Sequence, residues 1–437
     1  MKKVPFFCAL AVAGLFPETY IWSQTASQSH VAHARMFAPG TIVSPSSNAR
    51  IRNEDGGKAS TNLKILSLAD NAAPPHLKAA AVSVPPVAGY FFETPASLAC
   101  VYQLVPVTQP GCNPNLVATN VTGGSRAIAI VDAFDYPAAM SDLARFSSQF
   151  GLPAPTSSNF QVVFAAGTRP PDGSGSGWDI EAALDIEYAH GLAPKAKLYL
   201  VEAASDAFSD MFAAVKKASQ LVAAAGGGEV SMSWGGAEFA SEKTLDSHMT
   251  TQNVVYFASS GDSPGTSYPC VSPNVVCVGG TGNSRNQVTG KLGGEVAWND
   301  TGGGTSLYES RPEYQNPISS IIGSKRAVPD VAAVADPRTG VWVYNSTYDG
   351  AGAWFTVGGT SVASPVMAGI VNSSGHFHQS SIAALTSIYS TVGAVGAGWN
   401  DVTSGACGYY DGLLAKQGWD ACTGVGTPRG TSFKLAF

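Results

Sequence analysis

A serine held between glycines and a helix-forming run is the first feature of this chain suited to chemistry. In GGTSVASPVMAGI, residues 358–370, Gly358 and Gly359 allow a tight turn. The run from Ser361 reads as a helix with Pro365 in its first turn. A serine there sits at the positive end of a helix dipole. Its hydroxyl becomes a nucleophile only with a base at hydrogen-bond distance. Histidine is the usual base, and the chain has seven: His30, His33, His76, His190, His248, His376 and His378. Carboxylates are the other choice. WDIEAALDIEYAHG, residues 178–191, carries Asp179, Glu181, Asp185 and Glu187 on one helical stretch. Glu181 and Asp185 are four apart and share a face, while Asp179 and Glu187 point roughly the opposite way. Two carboxylates side by side in a cleft keep one proton between them and titrate as a pair. On an open surface the same spacing is a solvated acidic face.

The elements that must position these groups alternate. RAIAIVDAF, FQVVFA, AKLYLVEA, EVSMSWG and VVYFASSGD read as strands. DYPAAMSDLARFSSQFG, WDIEAALDIEYAHG, SDAFSDMFAAVKKASQLVAAAGGG and SEKTLDSHMTTQN read as helices between them. Continuous apolar strands alternating with helices predict an α/β fold, a parallel sheet covered on both faces. Its crossovers are right-handed, and active residues belong just beyond the C-terminal strand ends. Internal repeats are absent from the sequence.

Composition narrows the class. The chain has 437 residues, 48 Gly and 27 Pro, with 13% charged residues against about 25% in an average globular protein. Its net charge of −6 and the lack of a basic patch exclude nucleic acid as a partner. Low charge density limits self-repulsion once carboxylates are protonated, which suits acid. Lys2 and Lys3 precede an apolar stretch, Val4 to Phe16, followed by small polar residues. That is the pattern of a signal peptide, taken as residues 1–26. No later segment holds 18 uninterrupted apolar residues, so no membrane insertion is expected after its removal. The mature protein is read as a secreted or periplasmic monomer. Residues 27–88 read as a short propeptide or a disordered leader. Cys8 leaves with the signal. The other six cysteines are expected to pair with their nearest neighbours, Cys100 with Cys112, Cys270 with Cys277 and Cys407 with Cys422, although six cysteines allow 15 connectivities. They offer no CxxC motif for a metal.

SWGG, ASSGDSPGTSYP, CVGGT, TGGGTSLYESRPEYQ, RAVPDVAAVADPRTG and GGTSVASP, in that order after GWDIEAALDIEYAHGLAPKAKL, resemble the sedolisins, serine-carboxyl peptidases on a subtilisin-like fold. The resemblance runs from about residue 90 to the end and implies one peptidase domain over residues 89–437. It implies Ser361 as nucleophile, Glu181 as the carboxylate taking its proton, Asp185 as the acid that hydrogen-bonds and orients Glu181, and Asp262 of SSGDS in the oxyanion hole. The implied activity is acid endopeptidase or tripeptidyl-peptidase action on polypeptides. A carboxylate base stays usable at a pH where imidazole is already protonated. Asp262 can donate to an oxyanion only as a neutral acid, a form that acid supplies. The resemblance also implies one calcium ion in a loop at 400–422, bound by Asp401, the carbonyls of Val402, Lys416 and Gly418, and Asp420. These are the oxygen donors that calcium prefers. Sedolisins usually carry a large folded propeptide, whereas the leader here has only about 60 residues.

Three further readings bear on the site. SWGG at a strand end suggests that Ser233, Trp234 and Gly235 form an edge for substrate backbone. A neutral-pH Asp-His-Ser peptidase would use Asp132 at the end of AIVDAF, but HGTxVA-like context is missing and His190 reads as scaffold. An inactive secreted homologue that binds peptides or glycans would need neither Ser361 nor the carboxyl pair.

Overall fold

Sixteen strands carry the architecture: β1 Gly40–Val43, β2 Ser60–Thr61, β3 Lys64–Leu68, β4 Ala127–Ala133, β5 Phe160–Phe164, β6 Lys197–Ala203, β7 Gly228–Met232, β8 Trp234–Gly235, β9 Val254–Ser259, β10 Val276–Arg285, β11 Leu292–Ala297, β12 Gly304–Ser310, β13 Lys325–Val328, β14 Val331–Val334, β15 Val341–Asn345 and β16 Ala353–Gly358. The computed structural model describes residues 40–48, 57–68, 85–87, 90–105, 111–286, 288–350, 352–393, 398–408, 413–430 and 437. The signal segment 1–26 lies outside the described residues.

The main sheet runs β11-β10-β9-β7-β4-β6-β5, with β14 also beside β10. Every pairing is parallel except β10 with β11. Successive side chains of a strand face opposite ways. In β4, Ile128 and Ile130 enter one core with Leu198, Leu200 and Phe257. Ala129 and Val131 enter the other with Tyr199, Val201 and Val230. Burial on both faces is why these strands read as continuous apolar runs. The fold is the subtilisin-like α/β arrangement expected, with a mixed, mostly parallel sheet.

The helix Trp178–Leu192 is buried along its whole length. Its acids therefore do not form a solvated face. It packs against the helix Thr360–Ser374. Gly369 permits that approach, since a Cβ there would stand 2.9 Å from Cβ of Leu192. This second helix begins at Thr360, so Pro365 lies in its second turn rather than the expected first.

Two further expectations are corrected. SEKTLDSHMTTQN forms two short 3₁₀ turns, Glu242–Thr244 and Asp246–Met249, in place of one α-helix. The hydroxyls of Thr244, Ser247 and Thr250 each bond a carbonyl three residues back, which competes with α-helical pairing. The disordered reading of 27–88 also fails where that stretch is described. β1 pairs β3, β3 pairs β16, and β2 pairs β8, so residues 40–48 and 57–68 are built into the body of the fold. The three expected disulfides are present. Among the described residues no helix is long and apolar enough to cross a membrane.

Candidate active site

Ser361 is presented by a turn that only glycine fits. β16 ends at Gly358, and Gly359 has φ +104°, a region L side chains rarely adopt. The helix then places Ser361 as its second residue, fully buried. Ser361 Oγ donates to the Ser233 carbonyl at 3.0 Å and accepts from Asn62 N at 3.1 Å. Its own N–H donates to the Asn62 carbonyl at 3.0 Å. Pro365 has no N–H for the Ser361 carbonyl four residues back. Ser233 Oγ reaches that carbonyl at 3.1 Å instead.

Glu181 lies beside this serine, and two further buried acids, Asp185 and Asp132, lie close enough to Glu181 to act on its charge. Burial, with the charges of Asp185 and Asp132, drives the Glu181 pKa well upward, while the nearby Ser361 hydroxyl pulls it back down. Yet neither Glu181 oxygen has a hydrogen-bond partner of good geometry. A hydroxyl has one hydrogen, and that of Ser361 points at Ser233. Glu181 is an adjacent acceptor that a rotation of the hydroxyl would engage. Asp185 is also pushed up, by burial first and then by Asp132, and its Oδ1 accepts from Ser233 Oγ at 2.8 Å. The expected hydrogen bond from Asp185 to Glu181 is not formed. The two influence each other through charge, and Asp185 is oriented by Ser233. Asp132, the last but one residue of β4, is the third acid, and burial raises its pKa to about 8. The other two acids of the helix brace structure: Asp179 accepts from the N–H groups of Gly175 and Gly177, and Glu187 from that of Tyr344.

Asp262 stands on the loop after β9. Its Oδ1 accepts from Thr360 N at 2.7 Å and from Thr360 Oγ1 at 3.0 Å. A Cβ on Gly359 would overlap the Asn62 carbonyl oxygen and lie 2.6 Å from Asp262 Oδ2. The Asn62 carbonyl and Asp262 therefore face one space beside the nucleophile. Among the described residues no histidine bonds the serine: Ser361 bonds Asn62 and Ser233, and His190 Nε2 meets the Pro153 carbonyl at 2.8 Å. Burial holds the His190 pKa down.

The chain has counterparts in sequence and fold among known proteins. Residues 163–375 match the Subtilase family. The chain is 28% identical over 341 residues to sedolisin of Pseudomonas sp. (strain 101), covering 70% of this chain and 57% of that protein. It is 32% identical over 327 residues to kumamolisin of Bacillus sp. (strain MN-32), covering 66% and 56% respectively. The chain is thus similar to sedolisin and kumamolisin, and over residues 163–375 to the subtilases. It spans a little over half the length of these curated relatives. The solved structure of Pseudomonas sedolisin, a serine-carboxyl proteinase complexed with two molecules of pseudo-iodotyrostatin, superposes with a TM-score of 0.64 at 24% identity. It covers 79% of this chain and 97% of that one, and the likeness is one of fold.

β8, Trp234–Gly235, lies at the nucleophile and pairs antiparallel with β2, Thr61 opposite Trp234 and Ser60 opposite Gly235. The Trp234 indole donates to the Val131 carbonyl at 2.8 Å, fixing that edge. In the C-terminal loop Asp401 accepts from Gly418 N at 2.8 Å and Asp420 from Lys416 N at 3.1 Å. Both carboxylates thus converge on the 416–420 turn, with Val402 next to Asp401 and the Cys407–Cys422 bridge closing the loop. The sequence did not single out Asn62, Ser259 or Thr360. Asn62 and Ser259 lie far from Ser361 in the chain, and Asn62 falls in the 27–88 stretch read as a short propeptide or disordered leader. Thr360 was in view as part of GTS, but nothing in the sequence linked it to Asp262.

Proposed function

We propose that this chain is a secreted, acid-active serine-carboxyl endopeptidase of the sedolisin type. The carrying observation is the nearness of Ser361 to a fully buried Glu181/Asp185 pair where, among the described residues, no histidine bonds the serine. In this reading Ser361 Oγ attacks the scissile carbonyl and Glu181 takes its proton. Asp185 and Asp132 keep Glu181 in a proton-rich neighbourhood, which suits return of that proton to the leaving amine. The Ser361 N–H and a protonated Asp262 stabilise the oxyanion. Water then hydrolyses the acyl-enzyme. Ser233, Trp234 and Gly235 bind substrate backbone as a strand edge, a role consistent with the strand they already pair.

Calcium belongs to the same reading. Asp401, Asp420 and the carbonyls of Val402, Lys416 and Gly418 would hold one ion, and the convergence of both carboxylates on one turn fits that donor set. When bound, the ion supplies fixed positive charge that ties the loop. The apolar stretch after Lys2 and Lys3 and the three disulfides support an exported, oxidised location.

Casein or haemoglobin digestion at about pH 3–5, with wild type, Ser361→Ala and Glu181→Gln, tests the reading. Loss of digestion by roughly 10²–10⁴-fold in Glu181→Gln is expected of a missing general base. Activity that rises toward pH 8 would point to imidazole chemistry. Equal inertness of wild type and Ser361→Ala would leave a peptide-binding protein.

A further inference from the structure

We propose that Glu238 is a positioning residue for Asp262: it ties the loop that carries Asp262 to β12, with the help of a proton on Glu242. This role rests on the peptidase reading above, in which Asp262 lines the oxyanion hole, and says what holds that aspartate in place.

The loop after β9, residues 260–268, is pinned on its inner side by Thr360. Gly261 N donates to Thr360 Oγ1 at 3.0 Å, and Asp262 Oδ1 accepts from Thr360 N and Oγ1. On its outer side the loop leans on the residues leading into β12. Gly302 N donates to the Gly261 carbonyl and Gly303 N to the Gly265 carbonyl, each at 2.8 Å. That support is itself interrupted. β12 pairs with β13 at Gly304 and Thr305, and its register then breaks until Ser310. Ser306 and Leu307 fall in the break, so their polar groups need partners from outside the ladder.

Glu238, three residues beyond β8, is that partner. Its Oε2 accepts from Ser306 Oγ at 2.5 Å and from Leu307 N at 3.1 Å, and its Oε1 accepts from Thr266 Oγ1. One side chain thus joins the Asp262 loop to the stretch of β12 that its own ladder leaves out. Bonds to an ionised acceptor are the strong ones. Glu242 is the fourth group on this carboxylate, whose two oxygens offer about four acceptor sites.

Glu242 can bond Glu238 only as a neutral acid. It is fully buried, and its Oε2 accepts from Phe239 N at 2.9 Å. Among the described residues its Oε1 finds no N–H or hydroxyl. A proton there turns carboxylate repulsion into a hydrogen bond, and two carboxylates so close do not both ionise readily. The surroundings favour that proton. Glu309 of β12 acts on Glu242, and Asp246 acts on Glu309; Tyr268 adds a neutral phenol, and Lys243 and Arg326 are the cations that act on Glu309. Burial, with Glu238 and Glu309, raises Glu242 to about 8. The clamp is therefore closed through the acid and neutral range. Above it, Glu242 and Glu238 repel, and Glu238 is driven off Thr266 and Ser306.

The test uses the full chain. Hydrogen exchange at pH 6 and pH 9, corrected for the intrinsic rate, reads the loop without any need for activity. At pH 6, Glu238→Ala and Thr266→Val should each lower protection of residues 260–268 roughly tenfold, and the double variant little further, because both cut one link. Protection of β6 should stay as it is. At pH 4 the same variants should lower kcat on casein roughly tenfold with KM within about twofold, the mark of a group needed only in the transition state. Glu238→Gln keeps an acceptor for Thr266 and should restore most of both. Should Glu238→Ala fail to fold, Thr266→Val carries the test. At pH 9 wild type should lose roughly tenfold protection at 260–268, and Glu242→Gln, whose amide donates to Glu238 at any pH, should keep it. Unaltered protection in Thr266→Val, equal loss in wild type and Glu242→Gln at pH 9, or lost protection with unchanged kcat overturns the proposal, and casein digestion in those same samples leaves the peptidase reading standing. Protection that changes as expected in a protein that digests no casein overturns the peptidase reading and leaves the clamp as a hold on the loop alone.

Discussion

Ser233 and Ser361 hold each other through two hydrogen bonds of opposite direction: Ser361 Oγ donates to the Ser233 carbonyl at 3.0 Å, and Ser233 Oγ to the Ser361 carbonyl at 3.1 Å. The second exists because Pro365 leaves that carbonyl without its helical partner. Ser233 has one hydrogen and two acceptors, since Asp185 Oδ1 is 2.8 Å away. A protonated Asp185 donates to Ser233 Oγ and releases the serine's hydrogen to the Ser361 carbonyl. An ionised Asp185 takes that hydrogen for itself. Nucleophile geometry is therefore tied to a proton that burial and Asp132 help Asp185 to keep. Ser233→Ala should lower stability by about 1–3 kcal/mol, the cost of a buried unsatisfied group. Urea unfolding at acid pH and kcat measure this, and unchanged values in both would contradict the link.

Stability should fall as pH rises. Burial lifts Asp132 and Glu229 to about 8, and pushes Glu181, Asp185 and Glu187 well upward. Unfolded carboxyls titrate near 4. Between about pH 4 and 8 the folded state therefore binds more protons than the unfolded one, and unfolding free energy declines as pH rises. Each such group contributes up to about 1.4 kcal/mol per pH unit. His190, His248 and His378, held below their usual pKa by burial, act in the opposite sense, losing stability as pH falls below about 6.5. They are fewer, and two are only partly buried. Thermal melts from pH 3 to 8 should show the highest Tm on the acid side. A Tm that climbs toward pH 8 would contradict the carboxyl account.

Asp132 gives a sharper version of that test. It adds a negative charge beside Glu181 and Asp185 and raises both. Asp132→Asn should let the pair lose its shared proton at lower pH, moving the alkaline limb of the pH–rate profile toward acid. The same variant should melt higher than wild type at pH 8, because one buried group no longer resists ionisation. An unshifted limb with an unchanged Tm would remove Asp132 from the electrostatics of the site.

The parallel sheet was legible because burial on both faces writes apolar runs into β4, β6 and β9. The Glu181/Asp185 spacing was legible because helical periodicity is local. What escaped was non-local or chemically disguised. Asp132 looked like a histidine partner, since a lone aspartate at a strand end does not reveal which helix faces it. Asn62 escaped because β2 and β3 owe their form to pairing with β8 and β16, residues 170 or more positions away, and not to their own pattern. The helix expected in SEKTLDSHMTTQN failed because hydroxyl-to-carbonyl bonds at three-residue spacing competed with its propensity.

Gly359→Ala tests the turn that presents the nucleophile. The residue sits at φ +104°, and an added methyl would overlap the Asn62 carbonyl oxygen and crowd Asp262 Oδ2 at 2.6 Å. Backbone strain alone costs about 1–3 kcal/mol. The crowding also falls on the space where an oxyanion would form, so kcat should drop by roughly 10²-fold or more with the fold retained. Circular dichroism and digestion assays separate the two effects. Full activity in the alanine variant would show that the space beside Gly359 is not where the carbonyl reacts.

The C-terminal loop gives a prediction independent of activity. Asp420 accepts N–H bonds from Lys416, Cys422 and Thr423, and burial raises its pKa against them. Asp401 holds Gly418 from the other side. A calcium ion shared by the two carboxylates would relieve the desolvation of Asp420 and stabilise the folded state by mass action, about 2.7 kcal/mol when free calcium is a hundred times its Kd. Chelation should therefore lower Tm at fixed pH, and added calcium restore it. Asp401→Asn keeps the side-chain shape and an acceptor for Gly418 but removes the charge. It should leave Tm in chelator nearly unchanged and abolish the rise on adding calcium. A calcium response that survives in Asp401→Asn, or none in wild type, would place the ion elsewhere or nowhere.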